Sequence, residues 1–256
     1  MRRRLVIPIL VAVLAVGWAG SSKAERTIED GLEVAFNADF APHALPRSEP
    51  APVKVQIEGR IATTDGSHPP PLRWLEIEIH RNGILSGKGL PVCSSRALQS
   101  TSTQTALARC GPALVGKGSF RAQVDLGREV SSAGRILAFN SRHAGKPALL
   151  LHLFAAVPVR FTLVVPLVAE KQAKGQFGTV LRARIPRIGG IVSVTQIGLD
   201  IGRRYSFGGK RRSYVSAACS APSGLPGAVF AFAKGRFRFE GHRDIEMKLV
   251  RACSVR

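Results

Sequence analysis

Hydrophobic and polar residues alternate along most of this 256-residue chain. A period of two places successive side chains on opposite faces of a strand, so the pattern predicts half-buried β-strands. The clearest case is Leu75, Ile77 and Ile79, which alternate with Glu76, Glu78 and His80. The predicted strands, about twelve in number, cover 32–40, 53–61, 75–79, 120–126, 136–139, 149–154, 159–165, 177–185, 191–201, 213–219, 228–233, 237–240 and 245–253.

Turns rich in glycine and proline separate these strands. They are Asp65-Gly66, Pro69-Pro70-Pro71, Asn82-Gly83, Gly189-Gly190, Gly208-Gly209 and Pro222-Ser223-Gly224. Many short strands with such spacing predict an all-β, mostly antiparallel fold of the β-sandwich or jelly-roll type. Only Ser100–Arg109 has the composition of a short helix. The apolar pattern weakens over 127–135, so residues 25–256 form either one β-sandwich domain, which we favour, or two halves that meet there.

The N-terminus has the three parts of an export signal. Met1–Arg4 is positively charged, Leu5–Gly17 is an apolar run of thirteen residues, and Ser22–Ala24 supplies small residues for a signal peptidase. We therefore expect residues 1–24 to be a signal peptide that directs bacterial export. The alternative is a retained membrane anchor, which is disfavoured because a bilayer-spanning helix needs about 20 apolar residues.

A second apolar stretch, Leu149–Ala169, has the length of a membrane span but carries His152, Pro158, Arg160 and Pro166. A charge at the bilayer centre costs at least about 2.5 kcal/mol. The stretch is therefore better read as two strands with a bend near Val157-Pro158, which leaves no integral membrane span after signal cleavage.

The chain is strongly basic, with 37 Lys and Arg against 17 Asp and Glu and a formal net charge of +20. Loss of Arg2, Arg3, Arg4 and Lys23 with the signal would lower that charge to +16. A charge of this size favours anionic partners such as envelope polymers, lipid headgroups or nucleic acid. The common nucleotide, zinc and esterase motifs are absent from the sequence, so no cofactor and no metal site is predicted.

Four cysteines, an even number without a C-x-x-C pair, favour disulfides in an oxidising compartment. Three pairings are open. Loop closure favours the local one, in which Cys93 joins Cys110 and Cys219 joins Cys253.

The segment around the first cysteine pair resembles a module of exported proteins from high-GC bacteria. Leu90-Pro91-Val92-Cys93 is similar to its L-P-x-C element. Cys110-Gly111-Pro112, followed by Val115-Gly116, is similar to its C-[GP]-x-x-x-x-V-G element but is one residue shorter, with Gly111-Pro112 where Cys-Pro is more usual. The resemblance covers Leu72–Leu126. It implies a β-fold with a disulfide-bounded loop, and it implies no activity because that family is uncharacterised.

The best candidate for catalysis is one face of the strand that contains Glu76, Glu78 and His80. Alternate side chains of a strand lie about 7 Å apart, a carboxylate spacing that glycosidases use, and Trp74 lies on the same face. The alternative interpretation, which we favour, is the solvated face of a half-buried strand.

The best candidate for anion binding is a predicted hairpin with five cations in ten residues. They are Arg203, Arg204, Lys210, Arg211 and Arg212, interleaved with Tyr205, Phe207 and Tyr214. Clustered guanidinium groups suit bidentate phosphate contacts.

Three functions are consistent with these features. The first is a non-catalytic exported β-sandwich protein with a structural or binding role at the anionic cell envelope. The second is a secreted glycan hydrolase that uses Glu76 and Glu78. The third is an extracellular nucleic-acid binder, which rests on charge alone.

Overall fold

A computed structural model of the chain describes residues 24–187, 192–241 and 244–256. The expected signal peptide therefore lies outside the described residues except for Ala24, and so does the expected turn at Gly189-Gly190. None of the described helices combines the length and the apolar character needed to span a membrane.

The described chain consists mainly of strands. They are β1 (Glu25–Glu29), β2 (Leu32–Ala41), β3 (Ala44–Leu45), β4 (Ala51–Pro52), β5 (Lys54–Thr63), β6 (Leu72–His80), β7 (Gly83–Leu85), β8 (Leu114–Asp125), β9 (Glu129–His143), β10 (Lys146–Ala155), β11 (Phe161–Lys171), β12 (Phe177–Arg184), β13 (Val192–Ile201), β14 (Arg204–Phe207), β15 (Lys210–Ser213), β16 (Val215–Ala217), β17 (Gly227–Phe239) and β18 (Asp244–Val255). The helices are α1 (Ser95–Leu98) and α2 (Thr103–Cys110), and a 3-10 turn follows at Gly111–Ala113.

Thirteen strands form one large curled sheet in the order β1-β2-β5-β13-β8-β9-β10-β11-β12-β6-β17-β18-β3. All its pairings are antiparallel except that of β18 with β3. The expected all-β, mostly antiparallel class is confirmed. The strand order is not clearly that of a jelly roll, because a single sheet bends back on itself where two separate layers were expected.

The two ends of the sheet meet along a seam between β2 and the β17–β18 pair. Phe36 and its inward neighbours on β2 pack against Phe237 on β17 and Leu249 on β18 in a common apolar cluster. Arg251 of β18, which is buried, donates a hydrogen bond to Asn37 of β2. Side chains hold most of this seam, and the short pairing of β3 with β18 adds backbone hydrogen bonds just after the end of β2. The sheet therefore encloses an interior between its walls.

A small layer covers part of the outer face of the sheet. Helices α1 and α2 pack there with Leu137, Phe139 and Leu150 beneath them. Ser94 and Ser102 cap the helices by accepting hydrogen bonds from backbone N–H groups. Because a disulfide joins Cys93 to Cys110, the start and the end of this layer are fixed together.

A second disulfide joins Cys219 to Cys253, so both bridges follow the local pairing expected from the sequence. It fastens β18 to the segment that follows β16. Disulfides of this kind are typical of proteins outside the reducing cytoplasm.

Several strand predictions are confirmed and others need correction. The apolar stretch Leu149–Ala169 forms the hairpin β10–β11. The two strands expected over 228–240 are one long strand, β17, which has a bulge between Ala231 and Ala233. Residues 127–135, where two halves could have met, form a turn and the beginning of β9.

Candidate functional site

The interior of the curled sheet contains an elongated apolar cavity of about 250 Å³. Its walls are inward-facing aliphatic and aromatic side chains. Those that define its middle are Phe36, Ile57, Ile77, Leu151, Val165, Leu181, Ile197 and Phe232. An engineered cavity of roughly 150 Å³ with a similar lining binds benzene, so this volume is enough for an apolar ligand.

The cavity exists because the walls are too far apart for their side chains to fill the space. Leu75, Ile77 and Ile79 project from the inner face of β6, yet all three remain partly accessible. The same holds for Leu151 on β10 and Ile197 on β13. Side chains in a close-packed core would be fully covered, so these five form a wall around an accessible space.

The cavity is long and narrow. Its lining follows β13 from Val192 to Ile201, which corresponds to about 30 Å along a strand that rises about 3.3 Å per residue. A modest volume spread over such a length suits a single extended chain better than a compact, drug-sized molecule, whose pockets measure about 300–1,000 Å³.

The two ends of the cavity differ in chemistry. At one end the lining comes from the small sheet of β4, β16 and β7, through residues such as Leu85 and Val215. At the other end the lining includes Arg73, Arg187 and Glu240. The cavity therefore runs from an apolar end to a charged end.

A second depression, of about 440 Å³, lies on the outer face of β2, β5, β13 and β8. Its lining is polar and includes Asn37, Glu58, Arg60, Arg121 and Gln196. Ligand sites are usually mostly apolar with a few polar groups. The interior cavity fits that description better than this outer depression does.

Glu76 lies on the outer face of β6, away from the cavity, in a network of ion pairs. Its carboxylate accepts a hydrogen bond from Arg182 Nε at 2.5 Å, and Arg236 Nη1 lies 3.8 Å from it. The hydrogen bond to Glu76 raises the pKa of Arg182. The expectation of a solvated face is wrong at this position, because the two arginines cover Glu76 and leave it 6% exposed.

The same network continues along the outer face. Glu170 bonds to Lys146 at 2.6 Å and also to Arg182, and Lys146 chiefly lowers the pKa of Glu170. On the other side, Glu246 forms ion pairs with Arg236 and Lys234. Both cations lower the pKa of Glu246, and the hydrogen bond from Lys234 has the largest effect. These cross-strand pairs tie together the strands that form one wall of the cavity.

The other members of the expected catalytic group lie on the same strand but do not converge on a cavity. Glu78 is half-buried opposite Lys234. The His80 ring packs on Phe230 with centroids 4.9 Å apart, and burial, assisted by Arg81, lowers the pKa of His80. Trp74 lies beneath the Arg238 guanidinium. Among the described residues, no three His, Cys, Asp or Glu side chains are placed to hold a metal ion.

Four of the five cations of the expected anion site lie on the hairpin β14–β15, and Arg203 directly precedes it. Arg203 Nη1 donates to the carbonyls of Pro112 and Leu114 at 2.7 and 2.8 Å. Arg212 lies over the Phe207 ring, 5.9 Å from its centroid.

The remaining three, Arg204, Lys210 and Arg211, are exposed. Tyr205 fixes the hairpin to the body of the protein by donating to the carbonyls of Ser86 and Lys88. The hairpin thus presents three cations to solvent, while Arg203 and Arg212 have structural contacts.

Sequence reasoning did not find the cavity. The alternation of Leu75, Ile77 and Ile79 identifies an inward face, but the pattern is the same whether that face packs on another layer or encloses a space.

Comparisons with protein-family models, with curated proteins and with solved structures found no match to this chain. The resemblance around Cys93 and Cys110 therefore stays a prediction, and the site rests on its geometry.

Proposed function

We propose that this protein is an exported, non-catalytic binding protein of the bacterial cell envelope that holds one apolar chain inside its curled sheet. The observation that carries the proposal is the long, accessible cavity with an almost wholly apolar lining. Each methylene group that leaves water for such a cavity contributes about 0.8 kcal/mol. An alkyl, acyl or isoprenoid chain is therefore the class of ligand that this interior favours.

Export is part of the same proposal. Residues 1–24 have the sequence of a signal peptide, and the two disulfides are stable in an oxidising compartment. A protein that sequesters an apolar chain is useful in the aqueous part of a cell envelope, where such chains are insoluble.

The experiment uses mature protein and the fluorescent probe N-phenyl-1-naphthylamine, which is displaced by a series of straight-chain alcohols. Affinity should rise about fourfold for each added methylene until the cavity is filled. Ile77→Trp places an indole in the middle of the cavity and should abolish probe binding. Val229→Trp, on the exposed outer face of the neighbouring strand β17, is the matched control.

Leu151→Trp on β10 provides a second blocking variant, and near-UV circular dichroism checks the fold of each variant. Affinity that is independent of chain length, or equal binding by Ile77→Trp and Val229→Trp, would contradict the proposal.

A second function, contact with an anionic polymer or lipid surface, is favoured by the hairpin β14–β15. Arg204, Lys210 and Arg211 are exposed around a tip at which Phe207 is 42% exposed. Exposed cations beside an aromatic ring suit phosphate-bearing surfaces. We propose that this hairpin, rather than the general basicity of the chain, makes such contacts.

A further inference from the structure

Arg73 occupies an unusual position at the charged end of the cavity. It lies at a bulge near the start of β6, and it lines the cavity together with Leu75, Ile77 and Ile79. Its backbone is fixed because its carbonyl accepts a hydrogen bond from the N–H of Ile185 at 3.0 Å. A guanidinium therefore ends an otherwise apolar row, with its side chain only 25% exposed.

The charge at this end is not balanced. Glu240 lies between two arginines, with Arg187 Nη2 at 2.5 Å from Oε1 and Arg73 Nε at 3.6 Å from Oε2. The second distance is longer than a hydrogen bond. Within the described residues, the Arg73 side chain makes this ion pair and donates no hydrogen bond. Two cations thus share one carboxylate at the end of an apolar cavity.

We infer that Arg73 and Arg187 bind the oxyanion head group of a single-chain amphiphile whose tail fills the cavity. When no ligand is bound, Glu240 is the ion-pair partner of both arginines. The inference rests on the proposed function. A guanidinium matches a carboxylate, sulfate or phosphate geometrically because it donates two parallel hydrogen bonds. The head group would replace Glu240 as the partner of Arg73, and the tail would lie along Leu75, Ile77 and Ile79.

The test compares dodecanoate, dodecyl phosphate, dodecanol and dodecyltrimethylammonium, which have equal tails and different heads, in the probe-displacement assay at neutral pH. Wild-type protein should bind the two anions about tenfold or more tighter than the alcohol, and the cation most weakly. The ratio between the two anions distinguishes a carboxylate ligand from a phosphate ligand.

Three variants locate the effect. Arg73→Gln should lower the anion-to-alcohol ratio at least severalfold, because Arg187 alone then faces the head group. Glu240→Gln removes the competing carboxylate, so this ratio should rise severalfold. Arg184→Gln removes an exposed cation from the outer face of β12 and should leave the ratio as in wild type.

The outcomes separate the inference from the proposed function. Dodecanol binding with no preference for anions, or an unchanged ratio in Arg73→Gln, overturns the head-group assignment and leaves the apolar cavity as a ligand site. Failure of all four compounds to bind overturns both.

Discussion

The ring of Phe36 on β2 packs edge-on against the ring of Phe237 on β17, with centroids 5.4 Å apart. The pair joins the two ends of the curled sheet and also lines the cavity. Gly235 makes the contact feasible, because a Cβ at that position would lie 2.8 Å from the Phe237 ring and 3.4 Å from Phe36. The closure of the sheet and the shape of the cavity therefore depend on the same residues.

Replacement of Phe36 by alanine should lower the free energy of unfolding by about 3 kcal/mol. A buried aromatic loses its transfer free energy and leaves a void, and edge-to-face pairs add about 1 kcal/mol of coupling. Urea denaturation measures the change. Val229→Ala, at a position that is 73% exposed, should change it by less than about 0.5 kcal/mol. Equal effects of the two substitutions would show that the seam contributes no special stability.

The two disulfides should differ in their contribution. In the chain-entropy model, a loop of 34 residues gives about 4 kcal/mol and a loop of 17 residues about 3 kcal/mol. Replacement of Cys219 and Cys253 by alanine should therefore destabilise the protein more than replacement of Cys93 and Cys110. Denaturation of the two double variants side by side tests the order, and the reverse order would contradict this account.

Stability should fall below about pH 6.5 because of His152. This side chain is fully buried on the outer face beneath the helical layer, with Nε2 at 3.0 Å from both Oγ1 and O of Thr101. Burial lowers the pKa of His152, an effect that the hydrogen bond to Thr101 partly offsets. The unfolded chain therefore binds a proton at His152 more readily than the folded protein does. The free energy of unfolding is highest above the pKa that His152 has in the unfolded chain, and it decreases as the pH falls below that value.

The measurement is the free energy of unfolding at about pH 7 and about pH 5.5, a window above the range in which carboxylates titrate. Wild type should lose stability over this interval, because burial lowers the pKa of His152 and also that of His80. His152→Gln should reduce this loss, whereas His143→Gln, an exposed control, should not. An unchanged pH dependence in His152→Gln would rule out His152 as its source.

Much of the fold follows from the local pattern, but the position of the functional site does not. Leu75, Ile77 and Ile79 are recognisable as an inward face because the alternation is local. Burial of Glu76 depends on Arg182 and Arg236, which lie on other strands far along the chain, so the local pattern suggested a solvated face. Arg203 has the sequence environment of a surface cation, yet its carbonyl partners come from a segment about ninety residues earlier. Contacts of this kind are set by the order of the strands in the sheet, which brings distant segments side by side.

The hairpin β14–β15 should provide most of the affinity for anionic vesicles. Each Lys or Arg near an anionic surface contributes about 1 kcal/mol. Replacement of Arg204, Lys210 and Arg211 by glutamine should therefore weaken binding at least about tenfold in a sedimentation assay, and the wild-type affinity should fall as salt is added.

The matched control replaces two arginines and one lysine that are exposed elsewhere, Arg96, Arg135 and Lys248. This variant has the same net charge as the hairpin variant. Equal losses in the two variants would assign vesicle binding to the overall positive charge and exclude a local site.

The most direct test of the apolar cavity is methyl NMR of mature protein with a fatty acid that carries a nitroxide near the end of its tail. A bound tail should broaden the methyl signals of Ile77, Leu151 and Val165, which line the cavity, and should spare those of Val229 and Val250 on the outer face. Broadening that is strongest at Val229 and Val250, or equally weak at all five residues, would contradict a ligand held inside the curled sheet.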